Sequence, residues 1–262
     1  MEKLISIHIK SDFGVFKKPD TNTPMYFTFN MLHKPALLGI LGAIIGENGF
    51  QKYGEMPDYY KKLKDIKVAI APLEENNKLF HHNGNFVKTI ITYNNTTGLA
   101  NEDGNLIVRE QTLVFPAFKC WLLLDLDKNI EVKLYTYLKE SYAEYLPYMG
   151  KNEFSIWWDS FTEYDFEGFS PIDNFYIMSL FIKKETLKDG KNNSCFQPSV
   201  FSGIENKFSY FERLPIAYEE DPLFQYKYED FVFTNWELKQ IYTLPKSYLL
   251  YKLSNNEVIQ MF

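Results

Sequence analysis

The sequence predicts an α+β fold, and three observations carry that expectation: period-two runs such as KLISIHIK, one strongly apolar helical run behind Pro35, and an aromatic content of 18%. Tyr and Phe in such numbers suit strands and interfaces, and Tyr keeps a polar tip for a wet surface. A chain of 262 residues is long for one domain and short for two full ones. It fits either one domain with a large insertion or two compact parts.

In KLISIHIK, Ile5, Ile7 and Ile9 alternate with Leu4, Ser6, His8 and Lys10, so one face of this strand is buried. The polar loop SDFGVFKKPDTNTP follows. Pro35 then suits a first helical turn, where its missing N–H costs nothing, and the helix is expected to run to about Ile45 before GENG closes it. Its apolar part, 35–46, is well short of the roughly 20 residues a membrane span needs, so no membrane contact is expected. IKVAIAP reads as a second strand.

From Leu79 to Phe115 the runs FVKTIITYNN and NLIVREQTLVF flank TTGLANEDG, the pattern of a long hairpin whose tip residues tolerate turn dihedrals. FKCWLLLDL is a buried strand, NIEVKLYTYLKESYAEYL a helix, and EFSIWWDSF another strand. Residues 3–160 therefore read strand, helix, strand, hairpin, strand, helix, strand. That is the split β-α-β plan of a ferredoxin-like domain with a hairpin inserted between its second and third strands. Past residue 165 the runs NFYIMSLFIK, SYFERLPIAY, DFVFTNWEL and SYLLYKL predict a smaller, mostly β part. The expected division is 1–160 and 161–262, with a linker near 160–172.

The net charge of −6 argues against a polyanion partner at first sight, but its distribution is uneven. Residues 1–119 carry 14 basic and 12 acidic side chains, and 120–262 carry 14 and 22, so a polyanion site belongs in the first half. Cys120 and Cys195 form no CxxC pair, which fits a reducing cytoplasm without a zinc site. MEKLISIHIK starts with charge and alternation, a strand rather than a signal peptide.

No HExxH, Walker loop, GxSxG or dinucleotide glycine fingerprint occurs, so the usual metal, phosphate and acyl-transfer chemistries lack their residues. Asp125 and Asp127 share one face of a strand, but no further ligands accompany them, and no cofactor is expected. His8 is expected on the polar face of the first strand. His81 and His82, with Lys88, could perform acid–base RNA cleavage, or could simply occupy a solvated turn. GKNEF could bring Lys151 to a phosphate behind a glycine turn, or could be a plain turn before a strand.

Taken in order, FGVFKKPDTN, KPALLGILGAIIG, REQTLVFPAFKCWLLLD, LPYMGKNEF and ERLPIAYEE resemble the fifth family of CRISPR-associated proteins over roughly residues 1–220. These are RAMP-superfamily subunits, RRM-like in fold, of the Cascade surveillance complex. The resemblance implies a ferredoxin-like core with an extended thumb hairpin, about 79–115, that caps the 5′ handle of CRISPR RNA (crRNA). It implies docking to the Cascade backbone subunit and to the large subunit. Carried over by motif, the RNA contacts are Lys17 and Lys18 in the first loop, His33 and Lys34 at the helix start, Lys88, Tyr93 and Arg109 on the thumb, and Lys151.

The similarity is to subtype I-B, in which a separate ribonuclease cuts the precursor. In the I-C branch the subunit itself cuts, and its Tyr, Lys and His set has no complete match here, so no catalytic residue is expected. Two alternatives stand beside this: a metal-independent endoribonuclease processing precursor crRNA, and a protein-interaction module without RNA binding, consistent with the acidic second half. Family members often carry arginine in the first loop, whereas this chain has Lys17 and Lys18 there and only two arginines, Arg109 and Arg213. Lysine binds phosphate as a point charge, without arginine's fork or flat face. Gly39 and Gly42 are expected to let the helix pack closely on the sheet, leaving its start free for a phosphate.

Overall fold

The computed structural model describes residues 1–19, 25–75, 78–79, 81–94, 107–182, 184–186, 192–194, 198, 205–219, 223–239 and 249–262. The expected hairpin tip TTGLANEDG and Cys195 lie outside the described residues. The first part contains β1 (Glu2–Ser11), β2 (Phe13–Gly14), α1 (Lys34–Ile44), α2 (Asp58–Leu63), β3 (Lys67–Pro72), β4 (Glu74–Glu75), β5 (Lys78–Leu79), β6 (Lys88–Asn94), β7 (Ile107–Val114), β8 (Ala117–Asp125), α3 (Asn129–Lys139) and β9 (Ile156–Tyr164). The second contains β10 (Phe166–Gly168), β11 (Phe181–Ile182), β12 (Lys184–Thr186), β13 (Asn192–Ser194), β14 (Ser209–Tyr218), β15 (Tyr226–Thr234), β16 (Leu249–Leu253) and β17 (Val258–Met261).

The fold is mixed, with mostly antiparallel sheets and few helices. Its largest sheet has the order β3-β8-β1-β9, and every neighbouring pair is antiparallel. Along the chain, α1 and α2 connect β1 to β3, and α3 connects β8 to β9. The alternation in β1 does what period two dictates: Ile5, Ile7 and Ile9 lie opposite Leu122, Cys120 and Phe118 and are buried with Leu37 and Leu41 of α1 and Leu134 and Leu138 of α3. Each such side chain contributes about 1.5–3 kcal/mol by leaving water. His8, on the polar face, lies 3.7 Å from Asp159.

β6 and β7 form the hairpin, paired from Lys88↔Leu113 to Asn94↔Ile107, and β2 adds to the β7 side. Residues on both sides of position 160 share one core: Ile182, Phe231, Ile259 and Met261 join the cluster that holds Leu4 and Leu38. The main chain of Phe262 pairs with Val68 in both directions, at 3.1 and 3.0 Å, so the end of the second part lies against the edge of β3.

Several expectations change. α3 ends at Lys139 rather than near Leu146, because Ser141 adopts φ +54° and Tyr142 N–H bonds back to Tyr137 O at 2.9 Å, a left-handed stop that no Gly or Asn announces. The following residues are put to use: Glu144 N–H and Tyr145 N–H bond to Ile44 O and Ala43 O, satisfying the last carbonyls of α1. Helix α2 escaped the sequence reading because six residues show no helical period. The described residues of NFYIMSLFIK are mostly irregular, with strand at Phe181–Ile182.

The close approach at Gly42 is to Tyr59 of α2, not to the sheet: a Cβ there would sit 2.9 Å from the Tyr59 ring at Cγ, whereas one at Gly39 would come no nearer than 3.8 Å. Among the described residues no helix is long and apolar enough to cross a membrane.

Candidate nucleic-acid interface

The loop bearing Lys17 and Lys18 is held as a short ladder. Phe16 N–H donates to Thr28 Oγ1 at 2.8 Å, Phe29 N–H to Phe16 O at 2.8 Å, and Lys18 N–H to Phe27 O at 2.8 Å. Tyr26 then docks on β7, its N–H on Arg109 O at 3.0 Å and its carbonyl accepting from Gln111 N–H at 2.9 Å. The loop and the hairpin base thus become one unit. Lys17 is exposed and its Nζ lies 3.6 Å from the Tyr26 ring centre, a cation–π contact.

Behind this ladder Asn30 is buried and fully used. Its Nδ2 donates to Gly84 O at 2.7 Å, and its Oδ1 accepts from Phe86 N–H at 3.1 Å and from Lys88 Nζ at 2.5 Å. The Glu212 carboxylate accepts from the N–H groups of Asn30 and Met31 at 2.9 and 3.1 Å and from the Tyr210 hydroxyl at 2.8 Å. Lys18 Nζ stands 3.7 Å from the same carboxylate. Burial lowers the Lys88 ammonium pKa, the Glu212 charge opposes that shift, and Lys18 adds to it. The half-buried Glu212 carboxylate thereby offsets the repulsion between the two lysines.

These groups line an open cleft of about 630 Å³ between the hairpin base and β14, the end strand of the β11-β15-β14 sheet. Lys18, Phe29, Lys88 and Gln111 come from the first part, and Arg213 and Tyr228 from the second. The exposed Arg213 guanidinium lies 5.1 Å from the centre of the Tyr228 ring. The register places Lys88, Gln111 and Arg109 on one hairpin face, because Ile90↔Gln111 and Thr92↔Arg109 follow Lys88↔Leu113 at intervals of two.

Tyr93 and Lys151 belong to the opposite face. Tyr93 shares it with Glu110, and Lys151 Nζ reaches it from outside, 2.6 Å from Glu110 Oε1 and 3.9 Å from the Tyr93 ring centre. Gly150 makes this possible: at φ +89° it presses on Val15, whose oxygen would collide with any Cβ there. The expected contacts are therefore split between the two faces of the hairpin.

The start of α1 is more enclosed than the cleft. His33 is 4% exposed, its ring sits 5.7, 5.3 and 5.6 Å from those of Phe16, Phe29 and Tyr226, and its Nδ1 accepts the Ala36 N–H at 3.3 Å. Burial lowers its pKa to about 3. A neutral histidine thus caps this helix from inside the protein and takes up one of its first N–H groups. Lys34 donates to the main-chain oxygen of Phe262 at 3.1 Å, and burial lowers its pKa to about 8. Both residues belong to the interior and its seam rather than to a surface site.

His81 is likewise not in a solvated turn. It is 5% exposed between Phe86 and Phe233, and its Nδ1 accepts the Gly84 N–H at 2.9 Å. Burial lowers its pKa to about 4. His82 alone of this pair is exposed. Among the described residues no three His, Cys, Asp or Glu side chains are grouped to hold a metal ion.

Sequence reasoning did not bring Asn30, Gln111, Glu212, Arg213 or Tyr228 into the site. The one available signal was arginine itself: the chain has only two, in REQTLVF and ERLPIAY, and the fold brings one to the cleft and the other to the hairpin face that borders it.

No family model matches the chain, and no curated protein matches its sequence. Solved structures do. The chain is similar to a CRISPR protein from Archaeoglobus fulgidus over 99% of each chain, at 11% identity and a TM-score of 0.50. A chain of a Type III-B Cmr-beta complex bound to cognate target RNA matches 90% of this chain and 85% of its own length, at 10% identity and a TM-score of 0.40. A chain of a CRISPR RNA-guided surveillance complex matches 57% of this one and 58% of its own, at 10% identity and a TM-score of 0.38. At such identities the likeness is one of fold: this chain shares, over nearly its whole length, the fold of the archaeal CRISPR protein.

Proposed function

We propose that the chain is a non-catalytic, RNA-binding subunit of a CRISPR surveillance complex, of the fifth CRISPR-associated family and subtype I-B, which caps the 5′ handle of crRNA. The observation that carries this reading is the cleft in which Lys18, Lys88 and Arg213 meet beside the base of a hairpin. Cations next to aromatic rings are what a single-stranded RNA needs: charge for the backbone and flat surfaces for the bases. The strand order β3-β8-β1-β9 with its helical connections is read as the ferredoxin-like core of the RAMP superfamily, and the hairpin β6–β7 as its thumb. Lys17, Arg109, Tyr93 and Lys151 extend the basic surface around the thumb.

Docking to the backbone and large subunits is supported by exposed apolar side chains away from the cleft, among them Phe50, Tyr53 and Leu146. The decisive experiment incubates the purified chain with repeat RNA in EDTA and follows both binding and cleavage. Binding to intact RNA is the expected result. Cleavage that disappears on His82→Ala, or on His81→Ala/His82→Ala, would replace this function with that of a metal-independent endoribonuclease, and neither binding nor cleavage would leave a protein-interaction module.

A further inference from the structure

The cleft has two unlike walls. On one side stand the ammonium groups of Lys18, from the loop, and Lys88, from the hairpin base, the latter donating to Asn30; Lys18 also faces the Glu212 carboxylate, which β14 extends across the cleft. On the other, the Arg213 guanidinium and the Tyr228 ring present flat surfaces from β14 and β15. Gln111 lies between them at the hairpin base. Its backbone N–H is used by Tyr26, which fixes the position of the residue while its amide keeps both a donor and an acceptor. The volume of about 630 Å³ is ample for one nucleotide and too small for a duplex.

We infer that this cleft takes one unstacked nucleotide of the RNA, its phosphate on Lys18 and Lys88 and its base against Arg213 and Tyr228, with Gln111 at the base edge. This deepens the RNA-binding reading above and rests on it. The physical reason is division of labour. Lysines act as point charges and attract any RNA, so they give affinity without position. Arginine on an aromatic ring offers a planar cationic surface, and a base stacked there is held at one place along the strand. The first part of the chain then supplies affinity, and the second, although it is the acidic one, supplies register.

The test is a scan of the bound RNA in which one base at a time is replaced by an abasic site, with affinity measured for the wild type, Arg213→Ala, Arg213→Lys and Lys18→Ala. The wild type is expected to lose roughly five- to 150-fold at a single position and little elsewhere, the range that loss of one base–aromatic stack produces. Arg213→Ala and Arg213→Lys should erase that sensitivity, the lysine variant because it keeps the charge but not the plane. Lys18→Ala should weaken binding at every position and keep the sensitive one. Arg213 is exposed, so its replacement leaves the core intact. Wild-type binding that tolerates every abasic site, or a sensitive position that survives Arg213→Ala, would overturn the inference while leaving RNA binding in place. Failure of the wild type to bind any RNA would overturn both.

Discussion

The start of α1 and the cleft at the hairpin base look alike in the sequence, since each offers a basic pair, His33–Lys34 and Lys17–Lys18, beside a turn. They end in opposite states. At the helix start, three aromatic rings close over His33, which is dry, and the main chain of Phe262 occupies the half-buried Lys34. At the cleft, Lys17 stays exposed on Tyr26 and Lys18 meets Glu212 across open space. A basic pair stays open to solvent only where its neighbours leave it water and a counter-charge. Where they bring apolar rings, as around His33, the imidazole is held neutral and becomes a cap, and the neighbouring Lys34 ammonium is spent on a main-chain oxygen.

The largest effect is expected from acid. His33 and His81 are neutral in the fold, with pKa values lowered to about 3 and about 4, while in the unfolded chain they titrate near 6.5. Their contribution is complete above the unfolded value and is lost as pH falls from there toward the folded values, where the unfolded chain takes up protons and the native one does not. His33 alone removes up to about 1.4 kcal/mol per pH unit, with His81 adding in the same direction. Chemical denaturation at pH 7 and at pH 5 measures this, and equal stabilities would show that neither ring is held dry.

Next in size is His33→Ala, which deletes the helix cap and leaves a void among Phe16, Phe29 and Tyr226. A loss of about 3 kcal/mol is expected, the sum of a missing cap and a partly collapsed cavity. RNA affinity of the folded fraction should not change. A variant with normal melting and weakened RNA binding would return His33 to the surface.

Gly42→Leu should cost about 1–3 kcal/mol, because any side chain there must displace Tyr59. Gly39→Ala should be neutral or stabilise by up to about 1 kcal/mol, since its Cβ meets Tyr59 only at ordinary contact distance and alanine favours helix. Thermal melting of the two variants side by side would expose a wrong assignment if their order were reversed.

The gentlest effect sharpens the contrast on the wet side. Lys18→Ala/Lys88→Ala should lower RNA affinity across sequences and flatten its salt dependence by about 0.7 in log–log slope per lost phosphate contact. Lys34→Ala should leave that slope alone. Equal slopes for the two variants would mean that the dry and wet pairs are not distinguished as proposed.

Much of the first part was legible from local pattern. The alternation of KLISIHIK, the Pro-started apolar run and the strands IKVAIAP and FKCWLLLDL all appear where their periodicities put them. The elements that were missed lack a period or a stop signal. DYYKKL is one and a half turns long, and Ser141 adopts a left-handed dihedral without the residue types that usually mark it. Of the expected contacts, Lys18 and Lys88 meet in the cleft, Arg109 shares the hairpin face that borders it, and Tyr93 with Lys151 falls on the reverse. That split follows from register, which a count of basic residues does not contain.

By itself the sequence determined the alternating strands, the helix that begins at Pro35, the hairpin, and the surplus of positive charge in the first half, because each depends on neighbours within a few residues. The tertiary structure alone decided which basic residues are dry and which are wet. It set Glu212 and Arg213 opposite a loop near residue 18 and a hairpin near residue 88, bringing together groups well over a hundred positions apart. Burial and counter-charge depend on what arrives from elsewhere in the chain, so the protonation of His33 and the composition of the cleft come into being only when the core closes.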